Sequence, residues 1–302
     1  MELAPAPRAK SAKVTTVTPT FEGPFVRGDA GALRAVIIVA PNAGIASISP
    51  THGESNAIAE RASEQFAVFT SRLAAHGVKL VPLEATPAVP LAVLCADCAV
   101  VFEEGAFLMR PSDQRRRGEI ALVEAALARA QIPVVGRIEA PGLLDGGDVL
   151  RAGDTLYLGV DKKRQAEIGL QRFTHGNELG REQLAAYARS KQLKVVEVAM
   201  ASEVRHLRSV ASLVGTQTVL YAGGLIDGTA FVDLEKIEAP RGEDYGAGVL
   251  TLGDRRVLAN LRFRETIPLL RKAKVSVDAI DLWEFGKIGA TPSSMALVLK
   301  RD

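Results

Sequence analysis

The sequence predicts an α/β fold made from a repeated unit of β-hairpin, helix and single strand. Three observations carry that prediction. Apolar runs of strand length alternate with amphipathic runs of helix length. Glycine-containing turns split several apolar runs into hairpins. The hairpins start near residues 97, 147, 210 and 247, and most are followed by a helix and a lone strand. Such a period, roughly 50–60 residues, says more about the fold than any single element. One unit cannot cover its own apolar face, whereas several units about an axis can, as in propellers. About five units are present if the N-terminal one is included. A doubly wound parallel sheet is the competing reading, and so many hairpins argue against it.

In chain order, Arg34 to Ala40 (RAVIIVA) reads as a buried strand, and Ala57 to Gly77 as an amphipathic helix ended by glycine. KLVPL is a strand. DCAVVFEEGAFLMRP is a hairpin turning near Glu104-Gly105, then GEIALVEAALARAQ is a helix and IPVVG a strand. GDVLRAGDTLYLGV is a hairpin turning at Ala152-Gly153-Asp154. Residues 179–191 read as helix and LKVVEV as strand. ASLVGTQTVLYAG and GVLTLGDRRVLANL are further hairpins, RETIPLLRKAK is a helix, and MALVL is a last apolar strand. Residues 1–32, rich in Pro, Ala, Lys and Thr, are expected to be a partly disordered tail. Residues 33–302 are then a single propeller domain.

Composition narrows the function. The 302 residues are 47% hydrophobic and 24% charged, enough for a full core. Only 5% are aromatic and the net charge is +2, which speaks against nucleic acid as a partner. The short basic run Gln114–Arg117 sits beside Glu119 and makes a poor nucleic-acid footprint. No window is apolar over the roughly 18 residues of a membrane span. No secretory signal is read at the start. Two cysteines suggest a reducing, cytoplasmic setting. Cys95 and Cys98 form a lone CxxC without partner ligands, so both are expected in a buried strand. No metal and no cofactor is implied: no His/Asp/Glu cluster has ligand spacing, and no GxGxxG or GxxxxGK[ST] occurs at a strand-to-helix turn.

The stretch PGLLDGGDVL sets Asp145 and Asp148 around two glycines. Aspartate is common in turns. Paired glycines at a strand entry also let a ligand or another backbone come close, and a carboxylate there could pair with a guanidinium. Of the four histidines, His206 precedes an apolar strand and is a candidate general acid/base. His76 reads as a polar residue closing a helix, and His52 and His175 as loop residues.

Four stretches together resemble the dimethylargininases, members of a guanidine-modifying superfamily that also holds arginine deiminases and amidinotransferases. They are AVLCADCAVVFEEGAFLMRPSDQRRRGEI, LLDGGDVL, GDTLYLGV and RHLRSVASLVG. The resemblance runs from about Arg34 to the C-terminus. It implies a five-bladed pseudosymmetric α/β propeller and a C–N hydrolase of arginine-type guanidino compounds. In that family a cysteine attacks the guanidinium carbon, a histidine handles protons and acidic residues hold the guanidinium. By position the histidine is His206 and the acid of the DGGD motif is Asp145. A guanidinium-binding acid falls on Asp97. The arginines that hold the substrate carboxylate fall on Arg117 and, as a lysine, on Lys163.

The nucleophile departs from the pattern. In EFGKIGATPSSMALVLKRD an ungapped alignment places Ser294 at the cysteine position, and a one-gap alternative places Pro292 there. No cysteine follows Cys98. A thiol is far easier to ionise than a hydroxyl, which needs an adjacent base. Two further acidic contact positions read Leu91 and Ala96, and the serine two residues after the cysteine reads Ala296. Three readings stay open: a dimethylargininase-type hydrolase using Ser294, a silent relative binding a small cationic or amino-acid ligand or a protein, and a scaffold that has lost its pocket. Edge hairpins could pair two copies into a homodimer.

Overall fold

The computed structural model describes residues 19–51, 55–162, 175–253 and 255–302. Its strands are β1 (Leu33–Val39), β2 (Lys79–Leu83), β3 (Ala99–Val101), β4 (Ala106–Leu108), β5 (Val134–Arg137), β6 (Val149–Ala152), β7 (Thr155–Asp161) and β8 (Lys194–Met200). They continue with β9 (Ala211–Gly215), β10 (Thr218–Tyr221), β11 (Glu235–Glu238), β12 (Leu250–Gly253), β13 (Arg256–Asn260), β14 (Ser276–Ile280) and β15 (Leu297–Arg301). The helices are α1 (Ala59–Ala75), α2 (Gly118–Arg129), α3 (Glu178–Ser190), α4 (Leu207–Val210), α5 (Thr266–Lys272) and α6 (Trp283–Lys287).

These strands form five three-stranded sheets: β15-β1-β2, β3-β4-β5, β6-β7-β8, β9-β10-β11 and β12-β13-β14. In each, the central strand pairs antiparallel with one neighbour and parallel with the other. A parallel neighbour needs a crossover, which a helix supplies in the units holding α1, α2, α3 and α5. The β10–β11 connection carries only a 3-10 turn, Gly228–Ala230, because IDGTAF offers turn residues and no helical period. In the first sheet the antiparallel mate of β1 is β15, so the last strand completes the first unit.

Most strands are buried along nearly their whole length, Leu33–Val39 and Ala211–Gly215 among them. Phe69 and Leu73 of α1, Val36 and Ile37 of β1 and Leu299 of β15 are fully buried in one cluster. Part of the expected tail joins it: Phe21 and Phe25 are buried, and Phe21 N–H donates to Ala130 O at 3.2 Å. At the β3–β4 turn, Gly105 has φ +153, and a Cβ there would strike Pro133 O. Cys95–Cys98 is a 3-10 turn and not the expected strand, and both cysteines are buried. No described helix is long and apolar enough to cross a membrane.

Candidate active site

Chemistry-bearing residues sit just before the first strand of their hairpins. Asp145 caps the 3-10 turn Gly146–Asp148 that feeds β6, and His206 caps α4, which feeds β9. The glycines let the DGGD turn lie directly on the Cys95–Cys98 turn: a Cβ on Gly147 would overlap Asp97 Oδ1 and stand 2.8 Å from His206 Cγ. Gly147→Ala is therefore expected to cost about 1–3 kcal/mol, as overpacking does. Gly118→Ala is the control, because nothing lies within 4 Å of its added methyl. Equal urea midpoints for the two variants would remove this account of the motif.

The two aspartates do different work. Asp145 Oδ2 accepts from Ser112 N at 3.0 Å and Ser112 Oγ at 2.8 Å, leaving Oδ1 3.8 Å from His206 Nε2. Asp97 Oδ1 stands 3.6 Å from Nδ1 of the same ring. Asp148 Oδ1 accepts Leu207 N–H at 3.1 Å, fixing the backbone beside His206, and lies 3.1 Å from His175 Nδ1. His175 lies in a loop, as expected, but it is fully buried there, with Nε2 3.5 Å from Asp161 Oδ1. The second carboxylate of DGGD was the one clue in the sequence, since a buried carboxylate needs donors.

Burial alone would lower the pKa of His206, but Asp97, Asp148 and Asp145 outweigh it and raise it from 6.5 to about 9. Burial would raise Asp145, but the His206 ring, then Arg116 and the Ser112 amide, pull it down from 3.8 to about 2. At neutral pH the ring is thus an imidazolium between carboxylates. Because the folded pKa of His206 is raised, its stabilisation is complete below about pH 6.5 and is lost between about pH 6.5 and 9. Urea unfolding should show that loss, and His206→Gln should flatten it. An unchanged slope in the variant would assign the loss elsewhere.

Asp97, Asp145 and His206 also have ligand atoms within 4.8 Å of one another, a spacing that could hold a cation and that sequence spacing did not reveal. The donor set fits a single ion poorly. The imidazole turns a different nitrogen to each carboxylate, and it is protonated at neutral pH.

Asp97 was expected to meet a ligand guanidinium. It meets one from its own chain: Arg116 Nη1 lies 2.6 Å from Asp97 Oδ2, Nη2 lies 2.8 Å from Glu119 Oε2, and Nη2 also donates to Leu94 O at 3.1 Å. All three side chains are almost fully buried. Burial pushes Glu119 up, with Arg116 opposing. Arg117, the sequence candidate, does not line the cavity. It caps α2, and its buried Nε has no hydrogen-bond partner. Arg116, one position earlier, lines the site, as do Arg115 and Arg205. Lys163 lies outside the described residues.

Above this floor lies a cavity of about 790 Å³, bounded by residues 47–51 and 87–91, with Ser112, Asp145, Arg205 and His206 on its wall. Ser294 is buried and does not line it. Its Oγ donates to Thr291 O and accepts from Thr291 N, both at 2.9 Å. Its carbonyl accepts Ala96 N–H at 3.3 Å, beside Asp97. Ser293 Oγ donates to Arg208 O at 2.8 Å, so the 291–294 turn is docked on the segment carrying His206. The chain's two cysteines offer no substitute nucleophile: burial pushes Cys95 to about 12 and Cys98 well above its usual value.

No family model matches the chain. The N(G),N(G)-dimethylarginine dimethylaminohydrolase of Streptomyces coelicolor is 32% identical over 239 residues, covering 79% of this chain and 86% of that protein. The Pseudomonas aeruginosa enzyme of the same name is 28% identical over 239 residues, covering 78% of this chain and 88% of that protein. A cysteine-to-serine mutant of the Pseudomonas enzyme, solved with citrulline, superposes with a TM-score of 0.77 at 24% identity, over 89% of this chain and all of that one.

Proposed function

The chain belongs to the dimethylarginine dimethylaminohydrolase family, and from that premise we propose that its site is a C–N hydrolase frame for arginine-type guanidino compounds, with Ser294 at the nucleophile position. The observation that carries this reading is the His206 imidazolium held between Asp145 and Asp97 under a cavity large enough for an amino acid. The five sheets are read as blades about a pseudo-fivefold axis, with Asp145 and His206 brought together from neighbouring units. A nucleophile on the guanidino carbon would expel methylamine, which takes its proton from His206. The neutral ring would then draw a proton from water as it attacks the same carbon, and the bond to the nucleophile breaks to release citrulline and restore the nucleophile. The balance is methylarginine plus water giving citrulline plus methylamine.

Serine suits the first step poorly, because an imidazolium cannot take its proton. A ligand-binding relative without turnover is the second reading, favoured by the Ser294 hydroxyl being spent on Thr291 and by Arg116 seated on Asp97. The test is single-turnover hydrolysis of monomethylarginine, asymmetric dimethylarginine, arginine and agmatine by the chain and by Ser294→Cys, beside a thermal-shift screen of the same compounds. Turnover in the cysteine variant supports the first reading. A shift without turnover in either protein supports the second.

A further inference from the structure

We propose that a second cavity, at the hairpin-turn end of the fold, binds a small oxyanion through Arg301. The active-site residues precede β6 and β9, whereas this cavity lies beyond the far ends of the same strands. It is lined by Gly153 of the β6–β7 turn, Thr216 and Gln217 of the β9–β10 turn, the loop from Arg27 to Gly31, and the end of β15. Its volume is about 220 Å³, far above the ~10–15 Å³ that admits one water.

The other charged residues on its wall already have partners. Arg27 pairs with Glu103 at 3.2 Å and Asp302 with Arg34 at 2.5 Å. Asp29 Oδ1 holds Arg208 at 2.9 Å and its Oδ2 accepts Arg151 N–H at 2.7 Å. Arg301 is the exception: it is 4% exposed, and no described carboxylate lies within 4.0 Å of its guanidinium. Its Nη1 donates to Gly31 O at 2.7 Å, and its Nε is buried without a partner.

Burying a charge without a counter-ion is costly, and arginine does not escape by losing its proton at neutral pH. Burial, with the charge of Arg208 acting the same way against Asp29, lowers Arg301 only to about 10. Arg301 lines the cavity, and a guanidinium with an unpaired donor and no carboxylate beside it suits an oxygen of a phosphate or carboxylate, to which Thr216 and Gln217 on the wall add neutral donors. The aspartates on the wall do not oppose this, since each is neutralised by its own arginine.

The test is a thermal-shift titration of the full chain with inorganic phosphate and with acetate, each against sodium chloride of equal ionic strength. A saturable rise in Tm at millimolar anion is expected, with at least tenfold weaker apparent binding in Arg301→Gln. The tighter of the two anions identifies the ligand chemistry. Gln217→Glu is the second variant, placing a carboxylate at the cavity. It should raise the basal Tm and weaken the anion response, and it keeps the test open if Arg301→Gln fails to fold. No saturable rise over chloride, or equal rises in the parent chain and both variants, would overturn the proposal.

Discussion

Replacing Ser294 by cysteine is expected to raise single-turnover hydrolysis of monomethylarginine by about a thousandfold over the parent chain, on the scale of one well-placed activated group. The hydroxyl of Ser294 donates to Thr291 O, so its proton points away from any base. The base it would need is already protonated, because His206 sits near 9. A thiol escapes both obstacles, since it ionises several units more easily than a hydroxyl and needs no base to take its proton. Trapped intermediate should appear as a mass adduct on residue 294, and citrulline-type product should follow. Ser293→Cys belongs beside it, because Ser293 is the turn residue whose hydroxyl reaches the His206 segment. Turnover from the 293 variant alone would move the nucleophile by one residue. Turnover from the parent chain equal to that of Ser294→Cys would mean that serine is adequate and that the protonation argument is wrong.

The sequence carried the fold because its signal is repeated. Four hairpins with glycine turns, each short and apolar, leave few ways to bury five small sheets. The strands missed were β11 and β14. EKIE is charged at three of its four positions with one buried residue, and SVDAI is largely half-buried, so neither has an apolar run to read. In the site, Asp145, His206 and Asp97 were legible through the DGGD, RHLRS and ADCAVVFEEGAFLMRP stretches and the family resemblance these carry, and the fold brings them within reach of one another. Side-chain direction was not legible. Three consecutive arginines differ only in which way the chain turns at residues 114–117: Arg115 faces out to Asp113, Arg116 faces in, and Arg117 caps α2. His175 was missed because its partners are 27 and 14 residues away in sequence, with no periodic element joining them.

Arg116→Ala is expected to cost about 3–5 kcal/mol, because it leaves Asp97 and Glu119 facing each other in the interior without their shared cation. For a chain of this length that is a fall in Tm on the order of 10 °C. The loss should shrink when Glu119→Gln is added, since one of the stranded charges is then removed. The variant also opens a hole shaped for a guanidinium, with Asp97 on one side and the Leu91 and Leu94 carbonyls on another. Millimolar methylguanidinium or agmatine should therefore return part of the lost Tm, while equal concentrations of methylammonium should not, because ammonium lacks the planar fork. Rescue would establish that Asp97 retains a guanidinium-binding geometry and that Arg116 fills it in the resting chain. A large Tm loss that no guanidinium repairs would make the triad a purely structural ion cluster, and Asp97 would then have no part in holding substrate. A loss below about 1 kcal/mol would contradict the buried triad itself, because stranded interior charges cannot be that cheap.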